Sequence, residues 1–193
     1  NDETQLAAET DGRVFNYEVK ICDDDGKDVG RNADGEIWVR GPAMMQGYRD
    51  AEQNAAAFSE EGFFKTGDIG QLLDSEAIVI TDRKKDIIIR GGENLSAREI
   101  EEIVLLHPAV AEAAAVSAPH ERLGEGVAVF VTIYGDEAPT LANLTELCAE
   151  QQLAKQKWPQ WLSVVAEMPK TPSGKIQKAA LRAQLKEQGV QLS

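Results

Sequence analysis

The stretch Asp82–Glu102, DRKKDIIIRGGENLSAREIEE, constrains the fold more than any other part of the chain. Asp82-Arg83-Lys84-Lys85-Asp86 reads as a charged linker with a solvated face. The β-branched run Ile87 to Ile89 favours an extended strand, and Gly91-Gly92 permits positive φ and lets another backbone or a ligand approach closely. Ser96-Ala97-Arg98-Glu99 fits the S-x-x-E capping pattern, after which Ile100, Ile103 and Val104 recur at helical spacing until His107-Pro108 stops the helix. Linker, strand, turn and capped helix in succession divide the chain into two parts.

The part before this stretch is β-rich. Strands are expected at Val14 to Ile21 and Glu36 to Arg40, with a turn at Asp24-Asp25-Gly26, and again at Gly70 to Leu73 and Ala77 to Thr81. Asp50 caps a short Ala-rich helix through Phe58. These pieces make a small sheet or partial barrel. After it come strands near Ala111 to Ser117 and Val127 to Tyr134, and a helix capped by Thr140 with Leu141, Leu144, Leu147 and Cys148 on one face. A short strand at Ser163 to Ala166 and a helix from Ala179 to Gln188, ended by Gly189, complete it. The expected class is α+β, with the second part holding a core of its own and the first not marked as having one.

A chain of 193 residues with 42% hydrophobic content can bury such cores. No apolar run reaches the length of a membrane span and no N-terminal signal pattern is present, so the sequence supports neither insertion nor secretion. Cys22 and Cys148 fit no metal-ligand spacing and read as reduced thiols of a cytoplasmic protein. The net charge of -13 is uneven: residues 1–82 hold 7 Lys+Arg against 19 Asp+Glu, residues 83–193 hold 13 against 14. Cations gather at Arg83, Lys84, Lys85, Arg90 and Arg98, and again at Lys170, Lys175, Lys178, Arg182 and Lys186. Such clusters suit a small polyanion, whereas the acidic total opposes nucleic acid.

Two short motifs carry chemistry. Pro169-Lys170-Thr171-Pro172-Ser173-Gly174-Lys175 is a stiff loop with a lysine at its tip, yet it is no Walker loop, because Pro169 and Ile176 stand where Gly and Ser or Thr are required. Thr66-Gly67-Asp68 places a carboxylate beside glycine at a strand edge, able to accept from a ribose diol. Each has a plainer reading, a solvated loop lysine and a turn aspartate.

Taken in order, GEIWVRGP (Gly35 to Pro42), Gly47-Tyr48 through GFFKTGD (Gly62 to Asp68), Asp82 to Glu102 and PSGKI (Pro172 to Ile176) resemble the C-terminal part of the adenylate-forming enzymes, which include acyl-CoA synthetases, peptide-synthetase adenylation domains and luciferases. The resemblance runs from about Asp11 to Lys186. It implies that Asp68 binds the adenosine ribose hydroxyls, Arg83 contacts the same nucleotide, Lys85 is the pivot between half-reactions, Gly92 lines the pantetheine tunnel, and Lys175 meets the α-phosphate and carboxylate during adenylation. It divides the chain into the last subdomain of an adenylation domain (1–82), a hinge (83–85) and a mobile C-terminal domain (86–193).

The phosphate loop, adenine motif and acyl pocket of that family have no match here, and the chain starts at Asn1, so it is expected to be a fragment that adenylates nothing alone. The wording of the hinge motif is most similar to fatty-acid and related carboxylate ligases using ATP, CoA and Mg²⁺, the metal being implied by ATP chemistry and by no ligands in this sequence. An acyl-AMP ligase loading a carrier protein, or a non-catalytic orphan binding module, are the alternatives. The resemblance also implies silencing by a protein acetyltransferase at Lys175, whose cation acetylation would remove. His107 reads as a helix-end residue, His120 as a polar-loop residue without a partner, Trp38, Trp158 and Trp161 as packing or interface residues, and Asp23-Asp24-Asp25 as a solvated turn.

Overall fold

The computed structural model describes residues 10–193, so the expected first subdomain has residues 1–9, Asn1 among them, outside the described ones. The chain divides into two compact units, Asn1–Lys85 and Asp86–Ser193.

In the first unit β1 (Gly12–Arg13), β2 (Glu18–Cys22), β3 (Gly35–Arg40), β4 (Phe64–Leu72) and β5 (Ala77–Arg83) pair antiparallel in the order β1-β5-β4-β3-β2, an open sheet. The expected single strand from Val14 to Ile21 is interrupted at Asn16, whose φ of 57° only a few non-glycine residues tolerate. Helix α1 (Ala51–Ala57) links β3 to β4, and Asp50 Oδ1 caps it by accepting from Gln53 N at 2.7 Å. Buried Ile21, Ile37 and Leu72, flanked by Val19, Val39, Ile78 and Ile80, give this unit a small core.

The second unit is layered. Ile88 of β6 (Ile88–Arg90) pairs with Leu95 of β7 (Glu93–Leu95), and α2 (Ala97–Val104) follows, capped by Ser96 Oγ on Glu99 N at 3.2 Å. Strands β8 (Val110–His120) and β9 (Gly124–Ile133) form a long hairpin. The other edge of β9 takes β10 (Trp161–Val164) in parallel and, at Gly124, Arg90 of β6. β10 starts two residues earlier than expected because Trp161 is already in register with Ala128.

Alternation along β8 and β9 sends Ala113, Ala115, Val127, Val129 and Val131 to one face and Ala114, Val116, Ala128 and Phe130 to the other. The first face packs with Ile100 and Val104 of α2 and with Leu144 and Cys148 of α3 (Leu141–Glu150). The second packs with Leu181 and Leu185 of α4 (Lys178–Glu187), and Phe130 meets Trp161 edge-on at 5.2 Å. Strands covered on both faces read as continuous apolar runs, which is how these two appear in the sequence.

Candidate functional site

Thr66-Gly67-Asp68 is a bulge. β3 and β4 pair Trp38 with Lys65 and Glu36 with Ile69, so these three residues stand opposite Ile37 alone. Gly67, with φ 73°, makes the detour possible. Thr66 Oγ1 donates to the Ile37 carbonyl at 2.7 Å and accepts from Asp68 N at 3.1 Å, replacing ladder bonds that the bulge breaks. Gly67 N donates to Glu36 Oε1 at 3.1 Å.

The other edge of β4 presents Asp68 directly opposite Arg83 of β5, one step before a second bulge in which Thr81 is the extra residue. Arg83 Nε lies 3.0 Å from Asp68 Oδ1, with the aspartate half-buried and the arginine half-exposed. The structure therefore brings these two expected nucleotide residues together.

The expected charged linker keeps an exposed face, Arg83, Lys84 and Lys85, and buries an aspartate at each end. β5 runs through Arg83 and a 3-10 turn follows at Lys84–Asp86. Asp82 and Asp86 are buried: Asp82 Oδ1 accepts from Arg83 N at 2.6 Å, and Arg182 Nη2 donates to Asp86 Oδ1 at 2.8 Å. Lys84 Nζ reaches Asp24 Oδ1 at 3.0 Å and Glu36 Oε2 at 3.2 Å. Partial burial, the largest single effect, pulls the Lys84 ammonium down, but Asp24 and Glu36 together outweigh it and hold its pKa above the ordinary 10.5. Lys85, the expected pivot, is exposed in the same turn.

Gly91 and Gly92 form the two-residue loop of the β6–β7 hairpin, with φ of 59° and 87°, the both-positive pair that a type I′ turn requires. A Cβ on Gly92 would meet nothing within 4 Å in the protein, so that side of the turn is open.

Lys175 sits on a hairpin whose geometry is fixed locally. Thr171 N donates to Lys175 O at 2.8 Å, Gly174 N donates to Thr171 O at 2.9 Å, and Pro172 holds the second position of that turn. Thr171 Oγ1 accepts from Lys175 N at 3.1 Å, and Gln177 N closes the base on Pro169 O at 2.7 Å. Lys175 is exposed, and among the described residues its ammonium has no ion-pair partner.

Most of the clustered cations expected to suit a polyanion are engaged within the protein. Arg98 pairs with Glu102, Lys170 with Glu112 at 2.6 Å, and Lys178 with Glu101 at 2.9 Å. Their partners lie on other elements or a turn away, which charge counting along the sequence does not register. His120, expected in a polar loop without a partner, is 5% exposed at the end of β8, and its Nδ1 accepts from Arg122 N and Leu123 N at 3.2 and 3.3 Å. Glu36 is the site residue that the sequence hid, because within an alternating strand it looks like a surface position. Among the described residues no group of three or more His, Cys, Asp or Glu is placed to hold a metal ion, and no helix is long and apolar enough to cross a membrane.

The AMP-binding enzyme C-terminal domain model matches residues 99–175, within the second unit, and the AMP-binding enzyme model matches residues 2–49. The chain is 41% identical over 190 residues to the 2,3-dihydroxybenzoate-AMP ligase of Bacillus subtilis (strain 168), covering 97% of this chain and 35% of that protein. It is 40% identical over 179 residues to the medium-chain fatty-acid--CoA ligase of Escherichia coli (strain K12), covering 90% of this chain and 31% of that one. Among solved structures, ATP-bound MatB from Rhodopseudomonas palustris superposes with a TM-score of 0.85 at 32% identity, over 93% of this chain and 36% of MatB. The chain thus spans about a third of the length of these relatives. The chain belongs to the AMP-binding, adenylate-forming enzymes, and its match includes their C-terminal domain.

Proposed function

We propose that the chain supplies the ribose-binding carboxylate, the hinge and the adenylating lysine of a ligase that activates a carboxylic acid with ATP and passes the acyl group to a thiol. The observation that carries this reading is the T-G-D bulge, which sets Asp68 against Arg83 at 3.0 Å. Arg83 engages one carboxylate oxygen, and in this reading the other accepts from the ribose hydroxyls.

In the first half-reaction a carboxylate oxygen of the acid attacks the α-phosphorus of ATP and pyrophosphate leaves. Negative charge builds on oxygens that are already anionic, and Lys175 offers them an ammonium that pairs with no carboxylate among the described residues. In the second, the thiol sulfur attacks the acyl carbon, the thiol gives up its proton, and AMP departs. Rotation at Lys85 exchanges Lys175 for the open Gly91-Gly92 turn between the two steps, with Gly92 facing the pantetheine arm. Acetylation of Lys175 by a protein acetyltransferase would neutralise the first step selectively.

The acid is a fatty or an aryl carboxylate, since relatives of both kinds, 40% and 41% identical, stand equally near. CoA is the favoured thiol and a pantetheinylated carrier protein the alternative. The test is carboxylate-dependent ATP–pyrophosphate exchange by the full-length gene product over a panel of fatty and aryl acids, followed by thiol capture from CoA or a carrier protein. Exchange with one class of acid supports the reading; no exchange with any carboxylate overturns it. The described chain by itself is expected to give none.

A further inference from the structure

Among the described residues Glu36 is the most enclosed carboxylate of the first unit at 7% exposure, on a strand where its neighbour Ile37 is buried too. Burying a carboxylate costs several kcal/mol unless charged hydrogen bonds offset it, so its partners indicate why it is there. Oε1 accepts from Gly67 N at 3.1 Å and Oε2 from Lys84 Nζ at 3.2 Å. Gly67 directly precedes Asp68, and Lys84 directly follows Arg83. One carboxylate therefore bonds the residue adjoining each member of the Asp68–Arg83 pair. Lys84 also adjoins Lys85, and its second partner, Asp24 Oδ1 at 3.0 Å, ties it to the β2–β3 turn.

We infer that Glu36 is a positioning residue that holds the ribose carboxylate and the last fixed residue before the pivot in one arrangement. The inference rests on the reading of Asp68 as the ribose-binding group and Lys85 as the pivot. Through Gly67 it fixes the bulge that aims Asp68. Through Lys84 it sets the point from which rotation starts, so losing the two arms has separable effects. Glu36→Ala removes both arms. Glu36→Gln keeps an acceptor for Gly67 N while replacing the charge opposite Lys84 by a neutral amide, and Lys84→Met removes the second arm alone.

The experiment measures ATP affinity by calorimetry, and the two half-reaction rates separately, in the full-length gene product. Glu36→Ala is expected to weaken ATP about tenfold or more, seen in Kd and KM with kcat for exchange within about threefold, the size of a lost hydrogen bond to a charged group. Glu36→Gln and Lys84→Met should hold ATP within about threefold of wild type yet shift the ratio of the two half-reaction rates in the same direction, and Lys84→Arg should restore that ratio. A purely structural role would instead lower the melting temperature and kcat of Glu36→Ala with KM unmoved, and that result overturns the inference. Asp68→Ala separates the two layers: if it weakens ATP and Glu36→Ala does not, the inference alone fails. If neither weakens ATP, the reading of Asp68 fails with it.

Discussion

Lys84 carries a charge that two carboxylates hold against partial burial, and this has a consequence for stability. Its folded pKa is raised above 10.5, so the stabilisation from its ammonium is fully present below that value and disappears as pH rises through the folded value. Wild type and Lys84→Met should therefore differ in urea midpoint at pH 8 and converge above about 10.5. A constant difference across pH 8 to pH 12 would contradict the role of the charge. Neither Glu36 nor Lys84 was legible as a partner from the sequence, because their pairing joins positions 48 apart through a sheet register. Asp68, Arg83 and Lys175 were legible as motif members. The ion pair between the first two was not, since it depends on where the extra residue Thr81 falls in β5.

Elements were legible where local chemistry and packing agree. The β6–β7 hairpin follows from Gly91-Gly92, and α2 follows from Ser96 and the spacing of Ile100 and Val104, both 0% exposed. The charged stretch was legible as exposed at Arg83, Lys84 and Lys85, but its ion pairs were not: Arg83 meets Asp68 of β4, Lys84 meets Asp24 of the β2–β3 turn, and Asp86 meets Arg182 of α4, none of them adjacent in sequence. The turn itself makes a separable prediction. Gly92→Ala meets open space, so its cost in urea unfolding should be only the left-handed backbone penalty, roughly 1 kcal/mol. Gly92→Asn should recover most of that stability, because asparagine tolerates the left-handed region, yet still slow thiol capture. Full recovery of both would remove Gly92 from the pantetheine path.

At the scale of the whole molecule, the second unit carries two cores on opposite faces of one sheet, while the described residues of the first form a small one. Residues 86–193 expressed alone should therefore unfold cooperatively, and Ile100→Ala should lower that transition by roughly 2–5 kcal/mol. A non-cooperative melt of the isolated unit would show that its cores do not suffice. The most direct measurement of the central claim is made on Lys175→Ala in the full-length gene product, with the two half-reactions assayed apart. Carboxylate-dependent pyrophosphate exchange should fall by about 10² or more while transfer from supplied acyl-adenylate to the thiol stays near wild type. Normal exchange in that variant would contradict the assignment of Lys175 and, with it, the chemistry proposed for this chain.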